Sequence, residues 1–263
     1  MITDTFDPVS REIVRAEDAV RETDKEIAAG FALDTFILTF SERLIGALRE
    51  ENVIEPLDER LRVGSSAYKS PVFRIRGTSV GVALTGIGAP MVAAMLEELA
   101  VLFRARRFIL FGSCGALTAL PEGKLIVPTH ARRDEGTSYH YAPPGDYITV
   151  RNAPVLTRIF DELGVGYVTG RTWTTDAFYR ETERKKDDRV AEGCICVEME
   201  CAAAQAVCDY RGWELYQFVY AADSLDGDWA RRILGRLETD ARMKYFALAR
   251  EVAVRLQDRP CAF

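Results

Sequence analysis

The sequence predicts an α/β fold: a single domain on a central, twisted, mixed but mostly parallel sheet flanked by helices. Three observations predict it. From about residue 35, short apolar runs of strand length alternate with longer amphipathic stretches, the pattern of strands joined by helical crossovers. Some runs are apolar at every position, as in Phe108-Ile109-Leu110-Phe111, which marks a strand covered on both faces. No repeat, low-complexity tract or Pro/Gly/Ser linker splits the 263 residues, a length that is long for one domain and short for two.

Taken in order, residues 1–30 are polar, highly charged and loosely helical. They read as an N-terminal helical extension, leaving 31–263 as the domain proper. Phe36-Ile37-Leu38 is a short strand, and Ser41 to Glu50 a helix with Ser41 as N-cap. Ser79 to Leu84 is a strand ending in Thr85-Gly86-Ile87-Gly88-Ala89-Pro90. Pro90 suits the first turn of the next helix, where no N–H is needed, and Met91 to Phe103 supplies that helix. Phe108–Phe111 runs into Gly112-Ser113-Cys114-Gly115. Leu125–Pro128, Val165–Val168 and Ile195–Val197 are further strands, the last leading into a helix from about Glu200 to Tyr210. Tyr216 to Ala221 is another buried strand, and residues 228–257 form a closing amphipathic helical region. Ligands in such sheets sit at the carboxyl ends of strands. That rule singles out loops 85–90, 112–116, 174–184, 197–200 and 222–225.

Composition narrows the function classes. A formal net charge of −6 argues against a nucleic-acid partner, whose affinity rests on a basic footprint. It allows a small anion held by local donors. No apolar stretch approaches a membrane span, and the N-terminus is acidic where a signal peptide is basic, so a cytoplasmic location is expected. Six cysteines (Cys114, Cys194, Cys196, Cys201, Cys208, Cys261) fit that compartment as reduced thiols. C-x-C at Cys194 and Cys196 is not a standard zinc spacing, and only His130 and His140 exist; no metal site is expected.

The strand-end glycines of Thr85-Gly86-Ile87-Gly88 and Gly112-Ser113-Cys114-Gly115 let backbone N–H groups approach a ligand, and Ser113 adds a hydroxyl. Each alone is also ordinary turn chemistry; paired in one domain they suggest an anion or polar-ligand cradle. Glu198 and Glu200 flank Met199 before an Ala-rich helix. Carboxylates there accept from the vicinal hydroxyls of a sugar. They also cap helices, and on the residues alone capping weighs more. Asp223, after an apolar strand, is a candidate general acid or a turn aspartate. Phe178 in a polar stretch could stack on a planar base or plug the core. Arg180, Arg184, Lys185 and Lys186 read as a solvated charged face.

Together these segments resemble the nucleoside phosphorylase family, which includes uridine phosphorylase, hexameric purine nucleoside phosphorylase and adenosylhomocysteine-type nucleosidases. Four matches carry the resemblance: Thr85 to Leu99, Phe111 to Leu117, Asp134 to Pro143, and VEMECAAA from Val197 to Ala204. It covers about residues 35–255 and implies a nucleoside phosphorylase-like catalytic domain. What it implies for the site is specific. Met199 and Glu200 would hold the ribose, with Glu198 near it; Phe178 would stack on the base and Arg184 would bind it. Ser113, Gly86, Ile87, Gly88 and Arg43 would line the phosphate or water site. Asp223 would protonate the departing purine.

The resemblance implies a pentosyltransferase cleaving the N-glycosidic bond of a nucleoside by phosphorolysis. Phosphate would be co-substrate, with no metal or organic cofactor, and the chain would form a homo-oligomer, a dimer or hexamer. His140 or Arg43 would be candidates for a residue lent to a neighbour's pocket. Asp223 is a purine-type feature, and Thr182 replaces the amide that reads uracil, so purine is favoured over uridine. Two departures point the other way on the nucleophile. The arginine that phosphorylases carry two residues before the loop glycine is here Leu110, and the N-terminal phosphate loop survives only as Arg43. A nucleosidase using water is therefore the alternative.

Overall fold

A computed structural model of the chain describes residues 2–64, 70–226 and 239–257. The first strand, β1 (Thr35–Thr39), follows helices α1 (Ala16–Ala19) and α2 (Glu22–Ala28). Then come α3 (Glu42–Glu50), β2 (Ile54–Pro56), β3 (Arg62–Val63), β4 (Ser70–Ile75), β5 (Val80–Leu84), α4 (Ala89–Phe103) and β6 (Arg107–Ala116). The second half runs β7 (Leu125–Asp134), α5 (Ser138–Tyr141), β8 (Tyr147–Thr149), α6 (Ala153–Glu162), β9 (Tyr167–Thr175), α7 (Glu183–Ala191), β10 (Cys194–Glu198), α8 (Cys201–Arg211), β11 (Glu214–Ser224) and α9 (Thr239–Gln257).

The strands form one mixed sheet in the order β10-β9-β7-β11-β6-β1-β5-β4-β2. Its long central ladders, β1–β5, β1–β6, β6–β11 and β7–β9, are parallel; short antiparallel pairings lie at β2–β4, β4–β5 and β7–β8 and, inside the sheet, at β7–β11. One pairing changes the shape. β10 also pairs antiparallel with β6, at Cys196↔Ala116 and Val197↔Gly115. The path β6-β11-β7-β9-β10 therefore returns to β6 and closes half of the sheet into a ring.

Alternation along the strands builds two cores. Ile37, Ile109, Phe111 and Phe218 face α3, α6 and α9, where Leu44, Phe160 and Phe246 meet them. Phe36, Leu38, Phe108 and Leu110 face the other way, against Leu96 and Leu99 of α4 and Val207 of α8. A strand whose side chains are buried in both directions must be apolar at every position, which is the run read at 108–111. Ser41 caps α3 as expected, its hydroxyl accepting from Leu44 N at 3.2 Å. Pro90 lies in the first turn of α4. Within the first 30 residues, Ala28 is buried in the α4-side core, and Glu12 reaches Arg211 of α8 at 2.7 Å.

Several boundaries differ from the expectation. Gly112-Ser113-Cys114-Gly115 is not a loop but the second half of β6, and Asp223 lies inside β11 rather than after it. The glycines stay extended because β11 pairs along the whole of β6, with Asp223↔Gly115 and Ser224↔Ala116, while β10 holds its other edge. β9 begins two residues later than expected and runs on to Thr175. Strands β2, β3, β4 and β8 and helices α6 and α7 were not expected. The last helix begins at Thr239; the start of the 228–257 region and Cys261 lie outside the described residues. Among the described residues, no helix is long and apolar enough to cross a membrane.

Candidate active site

The parallel strands β1, β5, β6 and β11 all point their carboxyl ends to one side of the sheet, the side where an open α/β sheet binds ligands. A cleft of about 680 Å³ opens there. It is lined by Ser41 and Arg43 after β1, by Thr85, Gly86 and Ile87 after β5, by Gly112 and Ser113 of β6, by Tyr220 of β11 and by Arg242 of α9. The expected phosphate or water residues Arg43, Gly86, Ile87 and Ser113 thus share one cavity. Gly88 stands just beyond it as N-cap of α4, at φ 104°, a left-handed conformation that favours glycine. Arg242 and Ser41 are site residues that sequence reasoning missed. Nothing local distinguishes Arg242 from other arginines of an amphipathic helix; its meaning comes from where α9 packs.

The glycine turn is tied directly to the glutamate pair. Gly88 N–H donates to Glu200 Oε1 at 2.6 Å, and Met199 N–H donates to Oε2 at 3.3 Å. Glu200 is buried, and burial first, then the charge of Glu198, pushes its carboxyl up to about 8. Met199 is half-buried beside it.

Glu198 takes a different part. Its Oε2 accepts from the backbone N–H of Glu200 at 2.7 Å and of Cys201 at 2.6 Å. Its Oε1 accepts from the hydroxyls of Thr174 at 2.6 Å and Thr172 at 3.2 Å. Burial raises this carboxyl as well, while those four donors favour its charge. Glu198 sits at the N-terminus of α8, where two orphan N–H groups and the helix dipole favour a negative charge against the rise that burial imposes. Glu198, expected near the sugar, already has two protein donors on each of its oxygens, whereas each oxygen of Glu200 has one and keeps more capacity for a further donor.

Asp223 reaches the same neighbourhood by register. Gly115 of β6 is partner both to Asp223 on β11 and to Val197 on β10. Two strand spacings, about 10 Å, thus separate the backbones of Asp223 and Val197. The Cys114 thiol on β6 reports the same convergence. It is pushed up by burial first, then by Cys196, and further by the charges of both Glu198 and Asp223. Glu181 adds a fourth carboxyl: burial, then the charge of Asp223, raises it to about 7, against an opposing Lys185. Sequence reasoning missed Glu181, which sits within a run of charges.

The remaining expected residues lie further out. Phe178 begins a short 3-10 turn, 48 % exposed, with the ring of Tyr179 at 3.9 Å. It does not plug the core. Arg184, expected to bind the base, has a side chain 93 % exposed that stands 4.0 Å from Asp188 on the next turn of α7, as on the solvated charged face that the charge pattern also suggested. His140 is exposed and lines a separate groove between the N-terminal segment and α4. Leu110, where phosphorylases carry arginine, is fully buried in the apolar core against α4. Among the described residues, no group of three or more His, Cys, Asp or Glu is arranged to hold a metal ion.

Comparison with known proteins places the chain in a family. The family model described as the phosphorylase superfamily matches residues 35–253. Guanosine phosphorylase of Halorubrum lacusprofundi is 32% identical over 163 residues, 59% of this chain and 65% of that protein. The DeoD-type purine nucleoside phosphorylase of Aliivibrio fischeri is 28% identical over 165 residues, 61% of this chain and 66% of that protein. Uridine phosphorylase of Thermococcus kodakarensis is 38% identical over 116 residues, 43% of this chain and 41% of that protein. The matches therefore span less than two thirds of these relatives. Among solved structures, AMP nucleosidase from Bacteroides thetaiotaomicron superposes with a TM-score of 0.68 at 18% identity, covering 91% of this chain and all of that one, a likeness of fold.

Proposed function

The chain belongs to the phosphorylase superfamily, and from that premise we propose that it cleaves the N-glycosidic bond of a nucleoside, a purine nucleoside in preference to uridine. Phosphate would be the nucleophile, giving free base and a pentose 1-phosphate. The observation that carries the proposal is the hydrogen bond from Gly88 N–H to the buried Glu200 carboxyl. It sets a carboxyl suited to sugar hydroxyls beside a cleft bearing Ser113, Arg43 and Arg242, groups suited to an anion.

In the proposed reaction, ribose hydroxyls donate to Glu200, replacing hydration lost on burial, and Met199 covers the sugar. The C1′–N9 bond breaks through an oxocarbenium-like transition state and its electron pair leaves with the purine. Asp223 supplies a proton at N7, so that a neutral base departs; a positioned acid contributes about 10²–10⁴-fold. A phosphate oxygen held by Ser113, Arg43 and the Gly86–Gly88 turn then bonds to C1′. Holding the two reactants in register supplies much of the remaining gain. Phe178 stacks on the base. The scheme uses no metal or organic cofactor, and it suits a cytoplasmic homo-oligomer, a dimer or hexamer.

Hydrolysis is the second reading, favoured by Leu110, whose burial leaves no guanidinium at that strand position. Base release from a purine nucleoside, measured with and without phosphate, tests the first reading. Phosphate-dependent release with a pentose 1-phosphate product is expected; equal rates in both conditions would establish water as the nucleophile.

A further inference from the structure

We infer that Arg242 of the C-terminal helix is an anion-binding residue of this site, joining Arg43 and Ser113 in holding a phosphate dianion. The inference rests on the glycosidic-cleavage reading and extends it to a residue outside the motifs described above.

The cleft gathers unusual chemistry for a net acidic chain. Its charged lining is Glu42, Arg43 and Arg242, an excess of one positive charge. Hydroxyls of Ser41, Thr85, Ser113 and Tyr220 line the same walls. Two guanidiniums and several hydroxyls facing one cavity match an oxyanion with several acceptor oxygens.

Arg242 is also positioned. Its Nη1 donates to Ser41 Oγ at 3.0 Å, and that hydroxyl also accepts Leu44 N–H as the cap of α3. Burial raises the Tyr220 hydroxyl to about 12, and the charge of Arg242 is the largest influence opposing that rise. Tyr220 in turn stacks on Tyr245 of α9, one helical turn from Arg242, with centroids 4.2 Å apart. The guanidinium is thus tied to the cap of α3 and stands close enough to Tyr220 for its charge to be felt there. An arginine whose only task was solubility would not need to be fixed inside a cavity, because long side chains gain entropy by remaining free. The dianion could be inorganic phosphate or the phosphate of a nucleotide; both present the same oxygens.

The test is calorimetric titration of the full chain with inorganic phosphate, and separately with adenosine 5′-monophosphate and adenosine. Wild type, Arg242→Gln and Arg242→Lys are compared, with thermal melts confirming folding. Arg242→Gln is expected to weaken phosphate binding tenfold or more, Arg242→Lys less, and adenosine binding is expected not to change. In turnover, the KM for phosphate rises while the KM for nucleoside holds. Nucleotide binding that is lost in Arg242→Gln, with no phosphate binding by wild type, supports Arg242 and assigns the nucleotide's own phosphate as the anion. Phosphate binding that survives Arg242→Gln unchanged overturns Arg242 and leaves the cleavage reading standing. Absence of both phosphate and nucleotide binding in wild type overturns the anion site, whereas failure to release base from any nucleoside defeats the cleavage reading itself.

Discussion

Glu198→Gln discriminates between a helix cap and a sugar ligand. In the structure both carboxylate oxygens are occupied: Oε2 by the N–H groups of Glu200 and Cys201, Oε1 by the hydroxyls of Thr174 and Thr172. A glutamine keeps the shape but not the chemistry. Its oxygen can face the two N–H groups, and its NH₂ then meets two hydroxyls that had been donating. Thr174 Oγ already accepts from Ala202 N–H at 3.1 Å, so its own proton loses its acceptor in a buried site. Hydrogen bonds to a charged group are worth about 1.5–3 kcal/mol each, and the charge–dipole contribution at the helix start adds roughly 0.3–1 kcal/mol. Partial retention by the amide leaves a loss of about 2 kcal/mol. Glu198→Ala, which strips every acceptor, should cost about 4 kcal/mol or more. Urea unfolding followed by tryptophan fluorescence reads this well, because buried Trp173 lies on β9 between Thr172 and Thr174. A two-kcal/mol loss lowers the melting temperature by roughly 4–8 °C in a domain of this size. The reasoning fails if Glu198→Gln unfolds like wild type while nucleoside binding collapses; Glu198 would then be a sugar ligand after all.

Three further outcomes follow from the same geometry. Glu200 is raised to about 8 in the folded chain, so between pH 4.5 and 8 the folded state holds a proton that the unfolded state has lost. The stability contributed by that proton is present at low pH and is lost as pH rises, at up to about 1.4 kcal/mol per pH unit; the stability difference between wild type and Glu200→Gln should shift against wild type across this window, and a pH-independent difference would reject the assignment. The buried pair Arg107–Glu214, at 3.0 Å, predicts that Arg107→Met destabilises by about 3–5 kcal/mol by leaving a buried carboxylate, while Arg107→Met with Glu214→Leu recovers most of it; a single variant within 1 kcal/mol of wild type in urea, about the scale of an exposed pair, would count against the pair. Gly115→Ala places a Cβ 2.6 Å from Leu225 Cδ1 and 2.9 Å from Val197 Cγ1, costing about 1–3 kcal/mol through overpacking and lowering base release as well; a variant with wild-type melting and turnover would show that the β6–β10 contact yields freely.

What could be read from the sequence divides by how local the cause is. The all-apolar runs at 36–38 and 108–111, and the run at 216–221 broken by Gln217, announced central strands, because a strand buried on both faces admits little else. Ser41 announced its cap because the donor it satisfies lies three residues away. β4, by contrast, begins Ser-Pro and carries an arginine, and α7 is almost wholly polar with no buried residue, so neither carries a strong periodic signal. The glycines at 112 and 115 read as a loop because glycine is locally turn-like; only pairing with β10 and β11 makes them strand. In the candidate site, the glycine turn, Ser113 and Glu200 were legible as a motif. Spacing could not say which glutamate caps the helix, since the deciding donors Thr172 and Thr174 are on another strand. Arg242 and Glu181 were invisible for the same reason: each acquires meaning from a neighbour distant in the chain.

Closure of the half-sheet explains why the site needs no long loops to assemble. In an open parallel sheet, β10 would lie at the far edge, four strands from β6 by way of β9, β7 and β11. At about 4.8 Å per strand its carboxyl end would then stand nearly 20 Å from Gly115, too far for a glutamate after β10 to meet the turn after β5. The ring brings Val197 directly beside Gly115, and the next residues become the buried glutamates. Glycine at 115 permits that approach, since any Cβ there would strike Val197. Once β10 is seated, Glu198 starts α8, α8 fixes Glu200, and Glu200 accepts Gly88 N–H across the sheet. The cleft and the glutamates are therefore coupled through backbone geometry, and disruption of the β6–β10 pairing would be felt at Glu200 before it reached Arg43 and Arg242.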